Sequence, residues 1–199
     1  YLNLFGENTI ATDYKLPDNT YLFNSRFQNQ ALKISFARLG KKIQNILRYQ
    51  FNSDEVGIPA HAHGDLSQIQ LYEITSTSID LSEDYKMTRP TQYIKNHLIT
   101  FDSKYYSNKI VYHLFAGYFI NNLQEFEKWT LPAFDMDLST ANVKLNFNLP
   151  VNNFNFHSGI HYQNQRNLNK VLSRLIPDSH SNEIGVYSTI DYDRGNFGF

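Results

Sequence analysis

Residues 57–66 read GIPAHAHGDL, with His61 and His63 two apart and Asp65 close behind. In an extended backbone, residues two apart point to the same side with Cβ atoms roughly 7 Å apart, so two imidazoles can converge on one cation. Neutral imidazole suits zinc, copper, nickel and iron. Zinc prefers four ligands and accepts carboxylate oxygen beside histidine nitrogen. Asp54 and Glu55 precede the pair, and the expected metal ligands are His61, His63, Asp65 and Glu55. Gly57 and Pro59 keep the stretch out of regular structure, and the same residues also fit an exposed polar turn with solvated histidines.

Other titratable residues offer less. His157 and His161 fall on one face of a predicted strand, where they are either cation contacts in a wet interior or ordinary polar wall residues. Arg48, Lys144 and Asp191 most simply tune a wet interior, and Asp178 and His180 share a predicted outer loop. No Gly-rich phosphate cradle, nucleophile elbow or Ser/His/Asp set occurs in a meaningful context, and the acids are too scattered to pick out a glycosidase pair. No enzymatic activity is expected, and no cofactor is required. The chain has no cysteine, which excludes disulfides and thiolate metal sites. Eighteen basic residues against 19 acidic ones give no reason to expect a nucleic-acid partner.

The elements that must position these residues are strands. Aromatics make up 15% of the 199 residues, Asn is abundant, and the mean hydropathy is −0.47. Period-2 alternation recurs at 43–52, 140–149, 154–163 and 184–193, with weaker versions near 27–37, 97–106 and 110–121. In 140–149, for example, Ala141, Val143, Leu145, Phe147 and Leu149 oppose Thr140, Asn142, Lys144, Asn146 and Asn148. Helical periodicity is nearly absent, its best candidates being 121–129 and 166–175.

Tight turns are predicted at 39–42, 107–109, 150–153 and 193–196, where Gly, Asn, Asp or Pro stand where a hairpin needs them. Long polar connections at 6–24, 53–94, 122–138 and 164–182 alternate with them. Strict short–long alternation, with strands long enough to cross a hydrocarbon layer, predicts an antiparallel transmembrane β-barrel rather than a soluble sandwich. Its apolar faces would meet lipid and its polar faces a wet lumen. About eight or nine strands are counted. The missing initial Met and the closing GNFGF, which reads as the start of a further strand, suggest an excised piece.

Several stretches resemble TonB-dependent outer-membrane receptors of the metal-uptake branch. They are NSRFQNQALKISF (24–36), IQNILRYQFN leading into GIPAHAH, RPTQYIKNHLITFDSKYY (89–106), LPAFDMDLSTANVKLNFNLP (131–150) and RLIPDSHSNEIGVYSTIDYDRGNF (174–197). The loop is similar to the Gly-(Ile/Leu)-Pro-Gly-His-x-His stretch of zinc receptors, with Ala60 where Gly is usual and Gly64-Asp65 in place of an immediately following acid. The resemblance implies that residues 1–199 are part of a barrel of about 22 strands, with short periplasmic turns and long extracellular loops. The plug domain and the C-terminal barrel strands would lie outside this chain. It implies uptake of zinc or a small iron complex of siderophore type across a Gram-negative outer membrane. The implied partners are membrane lipid, lipopolysaccharide and the TonB–ExbB–ExbD energy complex acting through the plug. A passive porin-like channel and a soluble all-β ligand-binding module are the alternatives.

Overall fold

The computed structural model describes residues 1–59, 71–72, 85, 87–128, 130–172, 176–194 and 197–198, with backbone only at 71–72, 193–194 and 197–198. The chain is all-β, and no helix occurs among the described residues. Eight long strands follow one another as antiparallel neighbours: β1 (Leu2–Ala11), β4 (Phe27–Leu39), β5 (Ile43–Gly57), β7 (Thr91–Tyr106), β8 (Val111–Phe126), β9 (Phe134–Val151), β10 (Phe154–Asn169) and β11 (Ser179–Arg194). The short β12 (Phe197–Gly198) adds a ninth. The sheet is open, with β1 and β12 at its edges. A separate three-stranded ribbon joins β2 (Tyr14–Lys15), β3 (Tyr21–Leu22) and β6 (Leu71–Tyr72), tying the β1–β4 connection to the β5–β7 connection.

The strands outrun their expected limits, chiefly at the long-loop end. The expected loops at 6–24, 53–94, 122–138 and 164–182 shrink to 12–26, 58–90, 127–133 and 170–178. The two helical candidates resolve the same way, since 121–126 and 166–169 lie in β8 and β10. Their side chains are polar on both faces, but the backbone ladder carries the pairing through. At the other end the turns are tight. Val151 pairs Phe154 across a two-residue turn in which Asn152 adopts φ 54°, a left-handed conformation that Asn tolerates. Ser107 N–H donates to the Ile110 carbonyl at 2.9 Å.

Pairing register sorts the side chains into two faces. One carries Leu32, Ile34 and Phe36 on β4, and Leu47, Tyr49 and Phe51 on β5. It continues through Ile99 and Phe101, Tyr112 to Ile120 on alternate residues of β8, Val143 to Phe147 on alternate residues of β9, and onward to Ile184 and Val186. These side chains have no cover. Ile99 and Ile160, each flanked by strands on both sides, are still 45% and 46% exposed. Among the described residues only Phe134 and Met136 are buried hydrophobics.

The apolar band does not follow the hydrogen-bonded rows. The row from Ile34 runs through Tyr49, Ile99, Tyr118, Ala141 and Asn164 to Asn182, leaving the band on β10. On β11 the band centres on Ser188, a drift of about six residues over about six strand steps. With a rise of about 3.4 Å per residue and about 4.8 Å between strands, the band lies about 35° from the perpendicular to the strands.

Candidate functional site

His61, His63 and Asp65 lie outside the described residues, as does Trp129. The root of their loop is described, and it is the most thoroughly buried part of the protein. Asn24, at φ 60°, donates from Nδ2 to the carbonyls of Ile58 (3.0 Å) and Pro90 (2.7 Å), while its Oδ1 accepts from Thr88 Oγ1 at 2.6 Å. Ile58 N–H donates to the Pro90 carbonyl at 3.0 Å. The excursion from 58 to 90 therefore leaves and returns at one point. Gly57 belongs to this neck: its N–H donates to the Arg26 carbonyl at 2.9 Å, and a Cβ there would collide with the Asn24 carbonyl. The motif's glycine thus answers a close backbone approach.

Beneath the neck, Arg26 is 1% exposed and forks onto Asp13, with Nη2 to Oδ2 at 2.6 Å and Nε to Oδ1 at 3.1 Å. The Ser25 and Arg26 N–H groups also donate to Asp13 Oδ1, at 2.9 and 3.1 Å. A buried charge pair is tolerated where its remaining hydrogen-bonding capacity is filled in this way. Sequence reasoning missed Asp13, Asn24 and Arg26, because partners brought together from separate loops leave no periodic signal.

The two acids before the motif point apart. Asp54 accepts from Asn29 on one face, while Glu55 sits opposite Tyr93 on the other, so alternation along β5 does not bring both to one ligand set. A second polar knot joins β8, β9 and the β10–β11 connection. Lys170 Nζ lies 2.7 Å from Asp137 and 3.8 Å from Asp135, and Asn122 and Gln124 donate to these carboxylates at 2.8 Å each. The hydrogen bond to Asp137 raises the Lys170 pKa above its usual value, against the opposing effect of burial.

The face opposite the apolar band is largely polar and internally bonded. Asn121 donates to Asn96, and Asn96 to Asn52, in an amide ladder across three strands. His113 Nε2 and His157 Nε2 each lie 2.9 Å from a carboxylate, of Asp102 and Asp191 respectively. His161 meets the Asn142 amide at 3.0 Å. His157 and His161 share this face, but four residues along a strand separate them by about 13 Å, and each has its own partner. In the outer loop, Asp178 accepts from Asn169 and His180 meets Asn164, so these two are not joined either. Among the described residues no three His, Asp or Glu side chains are placed to hold a metal ion.

No protein-family model matches the chain, and a search of curated proteins finds no match.

Proposed function

We propose that this chain forms part of the barrel wall of a TonB-dependent outer-membrane receptor that admits zinc or a small metal complex. One observation carries the membrane half of the reading. A sheet of long strands turns a continuous apolar band outward, with nothing packed on it and almost no buried apolar side chain elsewhere among the described residues. In water such a surface would be a severe liability; against acyl chains it is the expected wall. The inclination of the band, about 35°, matches the 35–45° by which barrel strands tilt, since a band parallel to a membrane must cross tilted strands obliquely. The alternation of tight turns with longer connections supports the same orientation.

The cargo half rests on residue chemistry. His61 and His63 supply two borderline ligands on a loop held at its neck, and Asp65 and Glu55 are the acids nearest in sequence. Passage follows binding when the TonB–ExbB–ExbD complex pulls on a plug, and no bond is made or broken in the cargo. Two experiments separate the halves. The full receptor should partition into detergent and show the heat-modifiable gel mobility of a folded barrel; a protein that stays monomeric in plain buffer would refute the wall. Replacing both His61 and His63 by Ala should lower zinc or iron-complex uptake under limitation at least tenfold, and unchanged uptake would remove the loop from the mechanism.

A further inference from the structure

At the tight-turn end of the polar face, five strands frame an open groove of about 300 Å³. Its polar walls come from Lys104 and Tyr106 on β7, His113 on β8, Asn146 and Asn148 on β9, His157 on β10 and Tyr187 on β11. These residues fall on two adjacent rows of the sheet, so their convergence follows from register. Local packing holds them. Tyr187 lies across Gly159 and donates to Asn146 Oδ1 at 2.6 Å, where a Cβ on Gly159 would meet the phenol at 2.7 Å. Tyr106 donates to Gln44 at 3.2 Å.

Two features of this groove are unspent. The acids nearest to it, Asp102 and Asp191, are each engaged by a histidine, and among the described residues no carboxylate lies within ion-pair distance of the Lys104 ammonium. In addition, Asn148 Oδ1 is buried without any hydrogen-bond partner. A buried acceptor left unmatched costs about 1–3 kcal/mol, so the site calls for a donor there. An ammonium seeking an anionic oxygen and an amide oxygen seeking a hydroxyl define one kind of ligand.

We propose that the groove binds a small anion bearing a neighbouring hydroxyl, either a hydroxycarboxylate or a phosphate monoester. Lys104 takes the anionic oxygens, Asn148 accepts from the hydroxyl, and the Tyr187 and His157 side chains close the sides. The groove is distinct from the histidine loop, which lies at the opposite end of the strands. If the wall is a barrel, it sits at the inner mouth of the lumen and is a last contact for a hydroxylated anionic chelate; its existence does not depend on that reading.

The test uses the full receptor purified in detergent and titrated with gluconate and glycerol 3-phosphate, followed by ligand-observed NMR. Propionate, lacking the hydroxyl, and sorbitol, lacking the charge, are the controls. Binding of gluconate, glycerol 3-phosphate or both is expected, and which one binds decides between carboxylate and phosphate. Lys104→Met should weaken that binding about tenfold or more, as loss of a charge-assisted hydrogen bond implies, and Lys104→Arg should largely restore it. Asn148→Leu should weaken the hydroxylated anion and leave propionate unchanged. Asp191→Asn, which removes a like charge, should tighten binding severalfold. Folding of each variant is read from heat-modifiable mobility, so failure of the barrel reading registers separately from failure of the groove. Equal binding of sorbitol and gluconate, no binding of either anion, or a folded Lys104→Met protein that binds as the parent does would overturn the proposal.

Discussion

The sheet wall and the neck of the 58–90 loop are built on opposite principles. Along the wall, apolar side chains flanked on both sides by strands remain nearly half exposed, and neighbouring strands are joined by backbone ladders and amide chains. At the neck, the most buried side chains are polar: Arg26, Asn24 and Thr91, with Asp13 beneath them. The wall therefore depends on whatever solvates its apolar band, while the neck closes on itself. The contrast also says where each region is vulnerable. A change at the neck should cost the same in any surroundings, and a change on the band should cost only when acyl chains are present.

The largest effect is expected at the neck. Arg26→Ala leaves Asp13 buried without its counter-ion, which should cost about 3–5 kcal/mol. Urea unfolding in micelles should register that loss whether or not the detergent mimics a bilayer thickness. A loss below about 1 kcal/mol would mean that water reaches Asp13 and that the neck is not closed.

Next in size is the paired substitution Ile160→Lys and His161→Lys, one residue apart on β10 but on opposite faces. In a bilayer the first should cost about 2–4 kcal/mol and the second little, since charges are expensive on a lipid face and tolerated on a lumen face. Equal costs, measured by folding equilibria in vesicles, would erase the distinction between the faces.

The smallest expected effect lies within the polar face. Gly159→Ala should cost about 1–3 kcal/mol by driving a methyl into the Tyr187 ring, and the penalty should shrink in a Tyr187→Ala background. Unchanged additivity would show that the two residues do not meet.

How far the sequence reveals this molecule varies with the strand. β9, β10 and β11 alternate cleanly between apolar and polar residues, and their middles are plain from the residues alone. β7 and β8 carry Ile94, Leu98, Phe115, Phe119 and Leu123 on the otherwise polar face, so the contrast that marks a strand fades there. Beyond the apolar band the strands continue through segments polar on both faces, such as Asn52 to Glu55 and Asn121 to Gln124. Such segments read as loop because side-chain periodicity vanishes, although the ladder persists. The neck left no trace of another kind. Its members, at 13, 24, 26, 57, 58, 88 and 90, meet only once three strands are in register. The histidine pair was conspicuous as residues, but Glu55 shows that nearness in sequence does not put an acid beside it.

The whole account turns on which surroundings the two faces meet. The chain has no cysteine, so single cysteines at 143, 144, 145 and 146 of β9 can each carry a spin label in the full receptor, reconstituted in a bilayer. Collision rates with molecular oxygen and with an aqueous nickel chelate then read lipid and water directly. The labels at 143 and 145 should favour oxygen and those at 144 and 146 nickel, in strict alternation. Labels at 143 and 145 shielded from both reagents, or a run of four with no alternation, would mean that the apolar band packs against protein and that the chain is no membrane wall.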